Sequence, residues 1–160
     1  MNNKYAFMER EFMRIADLAI SYYGEDIIGD GWRLTIDRSK RRLGCCSYRN
    51  KTISISKYLL ELSSDEQITD TIAHEIAHAL CPGAKHNATW SRVAKSLGAD
   101  GKQYADECSM PVPHKYELVH ADTGEVFNTY HSKPRRDPSV LFIKNRKRET
   151  IGKLVYRKVR

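Results

Sequence analysis

This 160-residue chain has little of several things, and each shortage excludes something. It carries four cysteines, two of them the adjacent pair Cys45-Cys46. That is a poor disulfide framework, so a reducing, intracellular setting is expected rather than a stapled secreted domain. No stretch approaches the ~18 consecutive apolar residues of a membrane span, and no membrane partner is expected. Met1-Asn2-Asn3-Lys4 leads straight into an amphipathic segment, without the pattern of a signal peptide. Acidic excess is absent as well: 27 Lys+Arg face 20 Asp+Glu, a net charge of +7. With 41% hydrophobic and 29% charged residues, the chain is not disordered as a whole. One domain with a small appendage is expected, as a monomer.

The positive charge is unevenly placed. Residues 1–110 hold 15 Lys+Arg and 15 Asp+Glu, whereas residues 111–160 hold 12 and 5. The whole excess belongs to the last fifty residues. A neutral body, 1–110, followed by a basic module, 111–160, suits a polyanion partner such as nucleic acid.

What is present begins with a helix. Tyr5, Met8, Phe12, Ile15, Ala19 and Tyr22 recur at three- and four-residue steps, an amphipathic pattern of about five turns that Gly24 can stop. Trp32 to Asp37 alternates as a half-buried strand. Leu43 to Tyr48 reads as a second strand with Gly44 a possible bulge, and Thr52 to Ser56 as a third. These predict a small antiparallel sheet. Cys45 and Cys46 would point to opposite faces, as small packing residues.

Ser63 with Glu66, or Ser64 with Gln67, can cap the next helix, which runs to about Leu80 and is stopped by Cys81-Pro82-Gly83. It contains His74-Glu75-Ile76-Ala77-His78, the pattern H-E-x-x-H. Four residues apart on a helix, His74 and His78 leave one face and can hold one Zn²⁺. Glu75, turned about 100° from His74, stands beside the metal, where a carboxylate can take a proton from activated water. Ile72, Ile76 and Leu80 would pin the opposite face to a core.

A catalytic zinc normally has three protein ligands. His86 follows the turn at Pro82-Gly83, and Asn87 can cap a returning helix with Trp90, Val93, Ala94 and Leu97 buried and Gly98 at its end. His86 is the favoured third ligand. Asp106, Glu107 and His114 compete with it, and a carboxylate is chemically acceptable. The longer histidine pattern of the metzincins is absent.

These residues resemble the SprT-like (Spartan-type) metallopeptidase domain, a group with many small phage-encoded members. The likeness rests on His74-Glu75-Ile76-Ala77-His78-Ala79-Leu80, on His86 with Trp90 four residues on, and on Leu43-Gly44-Cys45-Cys46 followed by Ile53-Ser54-Ile55-Ser56. It covers roughly residues 5–100. The resemblance implies an α+β fold with a zincin-like core: N-terminal helix, small antiparallel sheet, H-E-x-x-H helix and following helix. It implies His74, His78 and His86 as ligands of one catalytic Zn²⁺, Glu75 as acid/base, and a protein or peptide substrate attached to DNA.

Many relatives end in a zinc ribbon with two Cys-x-x-Cys knuckles. Here His120 and Thr123, then Lys147 and Thr150, stand where those cysteines would be. A small basic all-β module that folds without metal is expected. Lys115–Ala121 and Glu125–Tyr130 flank the hairpin turn Asp122-Thr123-Gly124, and Val140–Ile143 and Leu154–Tyr156 read as further strands. Lys133, Arg135, Arg136, Lys144, Arg146, Lys147, Arg148, Arg157 and Lys158 are the candidate phosphate contacts, for single- or double-stranded DNA. Tyr116, Phe127, Tyr130, Phe142 and Tyr156 are either its core or stacking platforms for bases.

In the expected mechanism Glu75 takes the proton of the attacking water and passes it to the leaving amine. An extended peptide lies along the edge of the small sheet. Tyr48, Tyr104 and His114 are candidates to stabilise the oxyanion, none favoured. Two rival functions are a non-catalytic nucleic-acid-binding protein on the same scaffold and a zinc hydrolase of a non-peptide substrate.

Overall fold

The computed structural model describes residues 2–103 and 112–159. The chain divides into two compact units, Met1–Pro111 and Val112–Arg160.

The first unit is mixed α and β. Helix α1 spans Asn2–Tyr23 and ends as Gly24, at φ +70°, donates back to the Ile20 carbonyl at 2.8 Å. Its stripe Met8, Phe12, Ile15 and Ala19 is buried, while Tyr22 at the end of the stripe is exposed. Three short strands follow: β1 (Arg33–Asp37), β2 (Gly44–Ser47) and β3 (Thr52–Ser56). Their order is β1-β3-β2, with β2 antiparallel but β1 parallel to β3.

The sheet is therefore mixed, not antiparallel as expected. The turn at residues 48–51 makes β2 and β3 a hairpin, while β1 pairs with the far edge of β3. Burial explains the order. Ile53 and Ile55 of β3 are fully buried and take the centre, whereas Ile36 of β1 stays 41% exposed at an edge. Gly44 is not a bulge, because β2 pairs with β3 in unbroken register.

Two helices continue from β3. The short α2 (Lys57–Leu62), not anticipated from sequence, is capped by the Ser56 hydroxyl and buries Leu59 and Leu60. Helix α3 (Asp65–Leu80) begins at Ser64, whose hydroxyl accepts from the Gln67 amide at 3.3 Å. Every residue from Thr71 to Ala77 in its middle is buried. The expected division into a core face and a chemical face holds in part: Ile72 and Ile76 are fully buried and Leu80 is half-buried, while Thr71, His74, Glu75 and His78 line an open cleft, with α1, the sheet and α4 (Ala88–Ser96) packed around the helix. Asn87 caps α4 by accepting from the Trp90 amide at 3.1 Å, and Trp90, Val93, Ala94 and Leu97 are buried. No helix among the described residues is long and apolar enough to cross a membrane.

The second unit holds a three-stranded antiparallel sheet, β5-β4-β6, of β4 (Tyr116–His120), β5 (Val126–Tyr130) and β6 (Leu154–Lys158). The strand expected at Val140–Ile143 is absent. Asp137 caps a single 3₁₀ turn at Pro138–Val140, and Lys147–Thr150 forms a short helix, α5, so the unit is not all-β. Pro138 has no amide to donate to a ladder and suits the first turn of a helix. Buried Thr150 then ties the segment together: its hydroxyl accepts from the Ile143 amide at 3.0 Å and donates to the Arg146 carbonyl at 2.7 Å. His120 accepts from the Asp122 amide on Nδ1 at 3.2 Å, so the proton sits on Nε2, which donates to the Glu149 carbonyl at 3.1 Å. Hydrogen bonds thus join the two segments where a ribbon would carry its knuckles.

Candidate metal centre

Helix α3 presents His74 and His78 on adjacent turns. The chain then reverses: Cys81 donates back to the His78 carbonyl at 3.1 Å, and Gly83 adopts φ +77°, which a β-carbon would disfavour. Lys85 also has positive φ, +50°, and the next residue, His86, returns to the helix just before the Asn87 cap.

The three imidazoles converge. His86 Nε2 lies 3.1 Å from His78 Nε2 and 3.2 Å from His74 Nε2, and one donor atom from each ring falls within 4.8 Å of the others. Hydrogen bonding does not account for this arrangement. A neutral ring nitrogen has either one hydrogen or one lone pair, so His86 Nε2 cannot make two good bonds to both partners. A tetrahedral ion with Zn–N bonds of about 2.0–2.1 Å separates its nitrogens by about 3.3–3.4 Å. Both spacings to His86 are within a few tenths of an ångström of that edge, so the residues present fit a shared metal ion.

Trp90 forms the floor. Fully buried, it stacks on the His78 ring at 5.1 Å and meets His74 and His86 edge-on at 4.6 Å each. Its Nε1 is buried without a hydrogen-bond partner among the described residues. Burial pushes His74 down to about 3 and His78 down to about 4, each further lowered by neighbouring imidazoles, and burial lowers His86 as well. All three rings are therefore neutral at pH 7, the form a metal ligand requires.

Glu75 points from α3 toward β2 and is only 7% exposed. Burial pushes its carboxyl up to about 7, against the Cys46 amide, which donates to it, and the nearby Arg42 charge. Gly44 makes this approach possible: a β-carbon there would lie 2.7 Å from Glu75 Cγ and 3.0 Å from Thr71 Cγ2. Arg42 is held by Asp37 at 2.8 Å, and Asp37 also accepts from the Ser54 hydroxyl at 2.9 Å and the Ser39 amide at 2.7 Å.

His74, Glu75, His78 and His86 line one open cleft of about 590 Å³, whose walls include Gly44, Cys45 and Cys46 of edge strand β2. Both cysteines carry free thiols outside the histidine cluster, and burial pushes that of Cys46 up to about 12. Tyr48 also lines the cleft, but its hydroxyl donates to the His78 carbonyl at 2.5 Å. Asp106, Glu107 and Tyr104 lie outside the described residues. His114 belongs to the second unit, where its Nε2 is 3.0 Å from Glu117.

Among the basic candidates, Arg146 pairs with Glu125 at 2.7 Å and Glu149 at 2.8 Å, and Arg157 pairs with Glu117 at 2.6 Å. Lys147 lies over the Phe142 ring at 4.8 Å. Lys133, Arg135, Arg136, Lys144, Arg148 and Lys158 are exposed and make no ion pair among the described residues.

Sequence reasoning overlooked Trp90 as the floor, Arg42 near Glu75, and the reason for Gly44. The glycine was the available signal: one glycine in an otherwise ordinary strand marks a close approach as often as a bulge. A family model described as the SprT-like family matches residues 21–111, more than half of the chain and the segment that holds all three histidines. No curated protein matches the chain.

Proposed function

The chain belongs to the SprT-like family, and on that premise we propose that it is a zinc-dependent endopeptidase with a zincin-like core. The observation that carries the proposal is the convergence of three neutral imidazoles beside a buried carboxyl, all opening on one cleft. His74, His78 and His86 would hold the ion. Bound there, Zn²⁺ lowers the pKa of water toward ~7 and polarises a carbonyl.

The chain's own residues supply the rest. Glu75 is the general base, a role suited to a carboxyl tuned near neutral pH. The Cys46 amide and the space over Gly44 hold its orientation. Glu75 then returns the proton to the leaving amine. The outer edge of β2, which pairs with no further strand among the described residues, offers backbone groups to an extended substrate, which aligns a peptide without demanding one sequence.

Six exposed basic side chains of the second unit with no ion pair among the described residues, Lys133, Arg135, Arg136, Lys144, Arg148 and Lys158, support recruitment by phosphates, so proteins attached to DNA are the proposed targets. The near-neutral base beside the histidines favours catalysis over a purely structural metal site.

The test is proteolysis of a DNA-bound protein by the zinc-loaded chain. Cleavage should stop with chelator and fall about 10²–10⁴-fold in Glu75→Gln, which keeps its metal. Undiminished turnover by that variant would remove Glu75 from its role. Tight DNA binding without any cleavage would favour a binding protein on the same scaffold.

A further inference from the structure

The cleft has a charge pattern that the histidines and Glu75 do not explain. Among the described residues its walls carry three cations, Arg41, Arg42 and Lys85, while Glu75 is the only acidic one lining it. Glu75 sits inside, buried against β2. Arg42 is matched by Asp37. Arg41 and Lys85 are exposed and make no ion pair among the described residues.

They come from different segments of the wall. Arg41 precedes edge strand β2, whereas Lys85 precedes His86 in the loop between α3 and α4. Lys85 holds the left-handed backbone region, at φ +50°, where residues with a β-carbon are uncommon.

We infer that this cleft selects peptides bearing carboxylates close to the scissile bond, with Arg41 and Lys85 as the specificity-determining residues. The inference rests on the peptidase reading and narrows its substrate class. Cations beside an aqueous cleft raise the local concentration of an anionic segment and disfavour a cationic one. Phosphates of an attached DNA are the other anion available. The cations line the same cleft as the catalytic candidates, where the peptide itself must lie, and that favours the carboxylate.

The test uses three otherwise identical quenched peptides: one with internal Asp or Glu, one with the matching Asn or Gln, and the amide form with a free C-terminal carboxylate. Zinc-loaded full-length chain should cleave the internally acidic peptide about five-fold faster in kcat/KM than its amide match at low salt. The advantage should shrink as salt rises. Arg41→Glu/Lys85→Glu should abolish or invert that ratio. An advantage shown only by the third peptide would assign the cations to a chain end and overturn internal selection.

Binding of the same peptides to Glu75→Gln, followed by fluorescence anisotropy, gives a second readout. If no peptide is cleaved, the peptidase proposal fails, and the ratio of binding constants still decides this one. Equal constants for acidic and amide peptides would overturn it. So would a double variant whose only change is weaker competition by an oligonucleotide, which would give these cations to phosphate.

Discussion

At the scale of single residues, the site is organised by what burial does to titratable groups. The Trp90 floor and the packed middle of α3 hold His74 and His78 in their neutral forms, pushed down to about 3 and about 4. In the unfolded chain an ordinary histidine titrates near 6.5. Below that value the unfolded state takes up protons that the metal-free folded state refuses, so folding stability is lost as pH falls through the window from about 6.5 toward 4. Thermal melts of metal-free protein should show a midpoint that drops across this window, with a smaller slope in His74→Gln. A flat profile, or the same slope in the variant, would mean these rings titrate normally.

At the scale of elements, the decisive contact is between α3 and β2. A strand carrying a β-carbon at position 44 would collide with Glu75, so Gly44→Ala forces either the helix or the carboxyl to move. The variant should lose about 1–3 kcal/mol of stability from overpacking. It should also lose most peptide cleavage while its zinc content stays intact, since the atoms nearest a β-carbon there belong to Glu75 and Thr71 and not to the histidine rings. Equal stability and activity would show that the approach is loose.

Local pattern made much of this scale legible beforehand. The α1 stripe, the Ser64 and Asn87 caps, the stop at Cys81-Pro82-Gly83 and the histidine spacing are all encoded within a few residues. Strand order is not local. The parallel pairing of β1 with β3 follows from which strand is most buried, and alternation in β1 does not reveal that. The burial of the α3 middle likewise depends on α1 and α4 packing around it. The 138–150 segment departed from its apolar run because Asp137-Pro138 starts a turn and the Thr150 hydroxyl captures the Ile143 amide.

At the scale of the molecule, the family match ends where the second compact unit begins, and that unit carries the charge excess. Not all of that charge is available to a partner, since Arg146 and Arg157 are engaged by Glu125, Glu149 and Glu117. If Arg135 and Arg136 contact phosphates, replacing both with Gln should weaken DNA binding and flatten the plot of log affinity against log salt by about 1.4–1.8. An unchanged slope would remove these two arginines from the interface.

The proposed chemistry depends most on three imidazoles sharing one ion. The most direct measurement is zinc per chain, by elemental mass spectrometry after dialysis, for the native protein and for His86→Ala. One equivalent in the native chain and a clear loss in the variant is the expected result. No retained zinc in the native chain, or a full equivalent in the variant, would contradict it.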